Sequence, residues 1–185
     1  LGVEPPFFGD WHIDRDTNVT GANLTLSKNV YVYTRINLVI KDSTIIIKRE
    51  KVDGLEVYHQ YLFRVDTAAV VTVINSTLVL DTFQAIGQAA LTFQNGTRVS
   101  TTGRFLAGCS ALFFYDTSIS NAAPNGLLNQ PGEDAICVLD GRVNAEMYRV
   151  SVINRAGDAG DASPGIDGSP GGSALLITNV SLWVD

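Results

Sequence analysis

One formula recurs along the chain and limits what it can fold into. Two apolar residues alternate with other residues, a polar corner headed by Asn or Asp follows, and apolar alternation resumes. Val71-Thr-Val-Ile-Asn-Ser-Thr-Leu-Val-Leu80 is its clearest copy. Leu38–Ile45, Leu91–Thr97, Leu112–Ile119 and Leu175–Leu182 repeat it, and Ala145–Val152 is a weaker copy with Arg149 at the corner. Each copy reads as two short strands of period two joined by a bend. The corners are Asp42, Asn75, Asn95, Asp116, Arg149 and Asn179, separated by 33, 20, 21, 33 and 30 residues.

A shortest step of about 20 residues suits one turn of a parallel β-solenoid, with three short strands and three bends. The longer steps are then one turn plus a surface loop. Unequal steps argue against a helical repeat, whose units stack only at near-constant length. The corners are expected to lie near one line, with Leu38, Val71, Leu91, Leu112 and Leu175 inward beneath them. The expected architecture is all-β, a β-solenoid over 18–185 with a Gly-rich loop at 155–173. An irregular segment, 1–17, stands ahead of it as a cap or an assembly element. Loops are expected at Lys48–Gly54 and 121–134, and a corner at Gly103–Gly108. No periodic helix of convincing length is present.

Charge and cysteine content narrow the partners. The net charge of -6 disfavours nucleic acid and anionic membranes. No apolar run reaches the ~18 residues of a membrane span. Cys109 and Cys137 fall where neighbouring turns could bring them together, as a disulfide or as two buried small side chains. Phe7, Phe8 and Trp11 suit a cover over one open end of the core.

Five N-x-S/T sequons mark Asn18, Asn23, Asn75, Asn95 and Asn179 as candidate glycan acceptors, which would imply export. Asn75, Asn95 and Asn179 have a second explanation, because Asn tolerates the left-handed backbone of a tight bend. Asn18 and Asn23 lie off the corners and are the better acceptors. Asp158, Asp161 and Asp167 in the Gly-rich loop are candidate calcium ligands, although EF-hand spacing is absent. Calcium is the one cofactor the residues suggest.

The repeats resemble the right-handed parallel β-helix superfamily of pectate lyases and microbial surface proteins. Asn23-Leu-Thr-Leu26, Leu38–Ile45 and Val73–Leu78 look most like exported archaeal and bacterial surface β-helices, and the resemblance covers roughly residues 18–184. Enzymes of that superfamily cluster acidic residues with an Arg or Lys on one sheet. Here Asp66, Asp81 and Asp116 differ in repeat phase, and Asp134, Asp140 and Arg142 are the nearest approach to a groove. No catalytic residue is assigned. The chain ends in strand pattern, so Leu182, Trp183 and Val184 are expected to expose apolar surface that Phe7 and Phe8 of another copy could cover. The expected function is a non-enzymatic, self-assembling homo-oligomeric subunit of a filament, sheath or layer at a cell surface. The alternative is a β-helix that binds or cleaves polysaccharide, including surface glycans, which a row of exposed aromatics from Tyr31, Tyr33, Tyr58, Tyr61 and Tyr148 would support.

Overall fold

The computed structural model describes residues 5–52, 58–125, 132–158, 172–179 and 181–183. The strands, in chain order, are β1 (Trp11–Ile13), β2 (Thr17–Thr20), β3 (Asn23–Leu26), β4 (Val30–Val32), β5 (Asn37–Lys41) and β6 (Thr44–Ile47). A two-stranded hairpin of β7 (Glu50–Lys51) and β8 (Tyr58–His59) follows, then β9 (Leu62–Val65), β10 (Val70–Ile74), β11 (Thr77–Ile86) and β12 (Ala90–Gln94). The long strands β13 (Arg98–Ala122) and β14 (Ala135–Arg155) bend round corners, and β15 (Ser173–Thr178) and β16 (Ser181–Trp183) finish the coil. Among the described residues there is no helix.

All pairing outside the hairpin is parallel, and it sorts the strands onto three faces. Face 1 stacks β1, β4, β9, 82–86, 104–109, 135–140 and β15. Face 2 stacks β2, β5, β10, β12, 111–114, 144–148 and β16. Face 3 stacks β3, β6, 77–80, 98–101 and the closing parts of β13 and β14. The chain runs through faces 1, 2 and 3 and then repeats, which is a parallel β-helix. β1 already belongs to this coil, with Trp11 and Ile13 in the core.

In-register stacking puts like side chains above one another inside the coil. Leu38, Val71, Leu91 and Leu112 form one buried column on face 2, and Ile40, Val73, Phe93 and Phe114 form the next. On face 1, Phe63, Phe83 and Phe105 stack with ring centroids 5.8 and 4.8 Å apart. Each such side chain contributes about 1.5–3 kcal/mol by burial, and offset ring pairs add about 0.5–1.5 kcal/mol.

The bend between faces 2 and 3 explains the sequence formula. Asp42, Asn75, Asn95, Asp116 and Arg149 all adopt positive φ there, between 46 and 57°, and Gly21 fills the same place in the first coil at 65°. The Asn75 amide donates to the Asp42 carboxylate at 2.7 Å. Behind these residues runs a column of buried hydroxyls: Ser43, Ser76, Thr97 and Thr117. Ser43 Oγ donates to the Lys41 carbonyl at 2.7 Å and accepts from the Ala22 N–H at 3.1 Å. Ser76 Oγ likewise donates to Ile74 and accepts from the Ser43 N–H. The hydroxyls satisfy main-chain groups that the bend leaves without strand partners.

Four expectations need correction. Asn179 has positive φ but sits at the bend between faces 1 and 2, because Leu175 pairs with Cys137 and not with Ala145. The formula describes any strand–bend–strand unit, so it could not tell the two bends apart. Leu175 takes an inward register yet stays 49% exposed, since β15 pairs only with β14. Residues 104–109 are a strand, with Phe105 and Ala107 buried, and only Gly103 (φ 98°) bends. Phe7 and Phe8 cover nothing, at 89% and 82% exposed; Trp11 and Ile13 fill that end of the core.

Thr97→Val keeps the shape and removes the hydroxyl that donates to the Gln94 carbonyl at 2.7 Å. It should lower unfolding stability by about 1–3 kcal/mol, read as a lower urea midpoint at unchanged slope.

Candidate functional site

The long connections at 48–61, 123–134 and 156–172 all leave the coil at one bend, between faces 3 and 1. Surface loops carried together on one side of a solenoid are where function is usually placed. Arg49 ties the first loop down. Its Nε donates to Asp81 at 2.5 Å, one terminal nitrogen reaches both Glu133 oxygens at 2.9 and 3.0 Å, and the other donates to the Thr102 carbonyl at 2.9 Å. The Asp81 side chain is wholly buried, and its second oxygen accepts from the Tyr61 N–H at 2.7 Å. Burial pushes the Arg49 pKa down, but Asp81 and Glu133 more than offset this and raise it. With its side chain buried and each oxygen holding a donor, Asp81 is a latch between Arg49 and the Tyr61 main chain.

The second and third loops are joined directly. Gly157 N–H donates to the Glu133 carbonyl at 3.0 Å and Asp158 N–H to Asn125 Oδ1 at 2.9 Å. A Cβ on Gly157 would stand 1.8 Å from the Pro124 carbonyl oxygen, so this contact tolerates no side chain. Beneath the loops runs a polar column. Thr101 Oγ1 donates to Asn121 Oδ1 at 2.7 Å, Asn121 Nδ2 to Asn154 Oδ1 at 2.6 Å, and Asn154 Nδ2 to Ser173 Oγ at 3.0 Å. Asn121 is fully buried. Sequence reasoning missed Arg49, Asn121 and Asn154, and named Asp81 only among acidic residues that differ in repeat phase. The spacings of 20 and 33 residues between Thr101, Asn121 and Asn154 repeat the corner spacing and were the available signal.

The remaining candidates fall in several places. Asp134 precedes β14 and Asp140 ends its face 1 segment, about 20 Å apart at the usual rise, too far for an acid–base pair. Asp134 accepts from the Gly172 N–H. Asp140 binds Asn179 and Thr178 at 2.8 and 2.9 Å, and those bonds lower its pKa. Asp66 and Asp116 pair with Arg64 and Arg149. Asp158 pairs with Arg155 at 3.0 Å on the surface; Asp161 and Asp167 lie outside the described residues. No cluster of three metal-ligating side chains occurs among the described residues.

Cys109 and Cys137 are free and buried. Cys109 pairs with Gly141 and Cys137 with Phe105, a stagger of four residues or about 13 Å along adjacent strands, which no disulfide spans. Burial pushes their pKa values up to about 12 and about 11, so both thiols stay protonated and inert. All five sequon asparagines are exposed, but Asn75 and Asn179 hold their amides on Asp42 and Asp140. Val184 and the side chains of Leu182 and Trp183 lie outside the described residues; the backbone of β16 pairs Leu182 with Met147 and Trp183 with Tyr148.

The expected aromatic row is dispersed. Tyr31 and Tyr33 stack on His12 on face 1, Tyr61 is buried with its hydroxyl on Glu50, and Tyr58 lies in the hairpin. A different aromatic group lies on the outer side of face 2. Phe113 and Tyr115 stand parallel, 5° between planes and 6.4 Å between centroids, with Tyr148 in register beside Tyr115. Tyr115 donates to Glu146 at 2.9 Å, and the Arg149 guanidinium lies 4.8 Å from the Tyr148 ring centroid. Leu112-Phe-Phe-Tyr115 reads as an unbroken apolar run, which hid its outward half.

No protein-family model, curated protein or solved structure matches this chain. No described helix is long and apolar enough to cross a membrane.

Arg49→Met should cost about 3–5 kcal/mol, because it strands the Asp81 charge in the core. Arg49→Met with Asp81→Leu should recover most of that loss. Urea midpoints of the wild type and the three variants check this cycle.

Proposed function

We propose that this protein is an exported, non-enzymatic structural subunit that assembles with copies of itself at a cell surface. The supporting observation is the exposed apolar surface of β15. Leu175 and Ile177 take inward registers on β15, opposite buried Cys137 and Leu139, yet remain 49% and 39% exposed. Leu176, on the outer side, is 50% exposed. Phe7 and Phe8 project near the first coil, where Lys28 holds the Pro6 carbonyl. Covering even two of these side chains contributes about 3–6 kcal/mol before association costs. Head-to-tail contact of unlike ends builds an open filament unless its rotation closes a ring. The exposed sequons at Asn18 and Asn23 fit an exported glycoprotein.

Sedimentation and negative-stain microscopy of the native protein should show concentration-dependent polymers. Leu176→Asp and Phe7→Ser with Phe8→Ser should each leave a folded monomer. A native protein that stays monomeric at high concentration rules out this reading.

The aromatic group on face 2 favours a second reading, polysaccharide binding. Parallel Phe113 and Tyr115 with Tyr148 offer flat apolar faces to sugar rings, and Glu146 offers a hydrogen-bond acceptor. Under this reading Tyr148→Ala weakens retention on insoluble polysaccharide about tenfold without changing the urea midpoint. Equal retention of the variant counts against it.

A further inference from the structure

We propose that a notch at the bend between faces 2 and 3 binds the oxyanion of a phosphate or sulfate group. The bend in the β12–β13 coil is wider than its neighbours, because Asn95 and Gly96 both take positive φ, at 57 and 78°. Space stands open where a Gly96 Cβ would be. Arg98, Ser118, Ser151, Asp116 and Arg149 line the depression. Arg98, Ser118 and Ser151 project outward from face 3 in successive coils, about 4.8 Å apart.

The donor set carries the chemistry. The Arg98 guanidinium and the Ser118 and Ser151 hydroxyls form no side-chain hydrogen bond or ion pair with the described residues. Two guanidinium groups therefore face one notch of a protein whose net charge is -6. A planar fork and adjacent hydroxyls match the several acceptor oxygens of a tetrahedral oxyanion. Asp116 is the one carboxylate on the notch, and Arg149 holds it at 2.5 Å. Asp116 lowers the affinity in two ways, by its own charge and by occupying Arg149.

These opposite signs give the test. Titrating the isotope-labelled full chain with inorganic phosphate, and separately with sulfate, should produce saturable shifts at the Gly96, Ser118 and Ser151 amides. Arg98→Gln should weaken binding about tenfold. Asp116→Asn should tighten it several-fold, and Asn accepts the left-handed backbone of that bend. Affinity for inorganic phosphate that rises as the pH passes through its second ionisation, beside constant sulfate affinity, identifies a dianionic phosphate ligand. Equal, pH-independent affinities identify a site for either ester. Shifts that do not saturate, survive Arg98→Gln unchanged, or weaken in Asp116→Asn overturn the proposal.

Discussion

Everything in this molecule depends on keeping successive coils in register. A parallel ladder places each residue over its counterpart one turn away, and a slip of one residue would turn every inward side chain out. The bend between faces 2 and 3 supplies the phase. Its left-handed residue reverses the chain in one step, and the hydroxyl behind it binds main-chain groups of its own coil and the coil before. The columns of Leu, Val and Phe follow from that registration. Arg149 takes the same conformation without an Asn or Asp side chain, and Val150 follows where the four coils before it have a hydroxyl. The column of hydroxyls ends there.

The three bends have different tasks. The first-described bend keeps register. The bend between faces 3 and 1 absorbs the extra length of the chain, and it needs internal polar support because long loops cannot present repeated partners. Thr101, Asn121, Asn154 and Ser173 supply that support along the later coils. Arg49 and Asp81 do so where the first loop leaves. The third bend, with Arg35, Ala68, Gly87 and Asn179 at positive φ, is the least uniform in sequence. The side of the coil with the loops is thus separate from the side with the half-buried outer aromatic residues and the notch.

The separation bears on function. Acidic side chains are dispersed, and those nearest to being a cluster are consumed by structure: Asp81 by Arg49, Asp140 by Asn179 and Thr178, Asp134 by Gly172. The aromatic rings on face 2 and the notch beside them lie away from these acidic side chains.

The sequence by itself determined the coil. Period-two alternation interrupted by a polar corner every 20 to 33 residues is met by short strands that bend at each corner, and both are local properties of backbone and side chain. It also marked the three loops, through charge, Pro and Gly. Partnership across coils was decided only by the tertiary structure. Asn179 could not be assigned to its bend, nor Cys109 and Cys137 to their four-residue stagger, because those outcomes depend on which strand lies beneath. Arg49 and Glu133 are 84 residues apart and meet because two loops leave the same bend. Phe113 and Tyr115 became surface because Leu112 and Phe114 had taken the core. Local pattern fixes strand and bend, whereas long-range pairing decides which side chains meet.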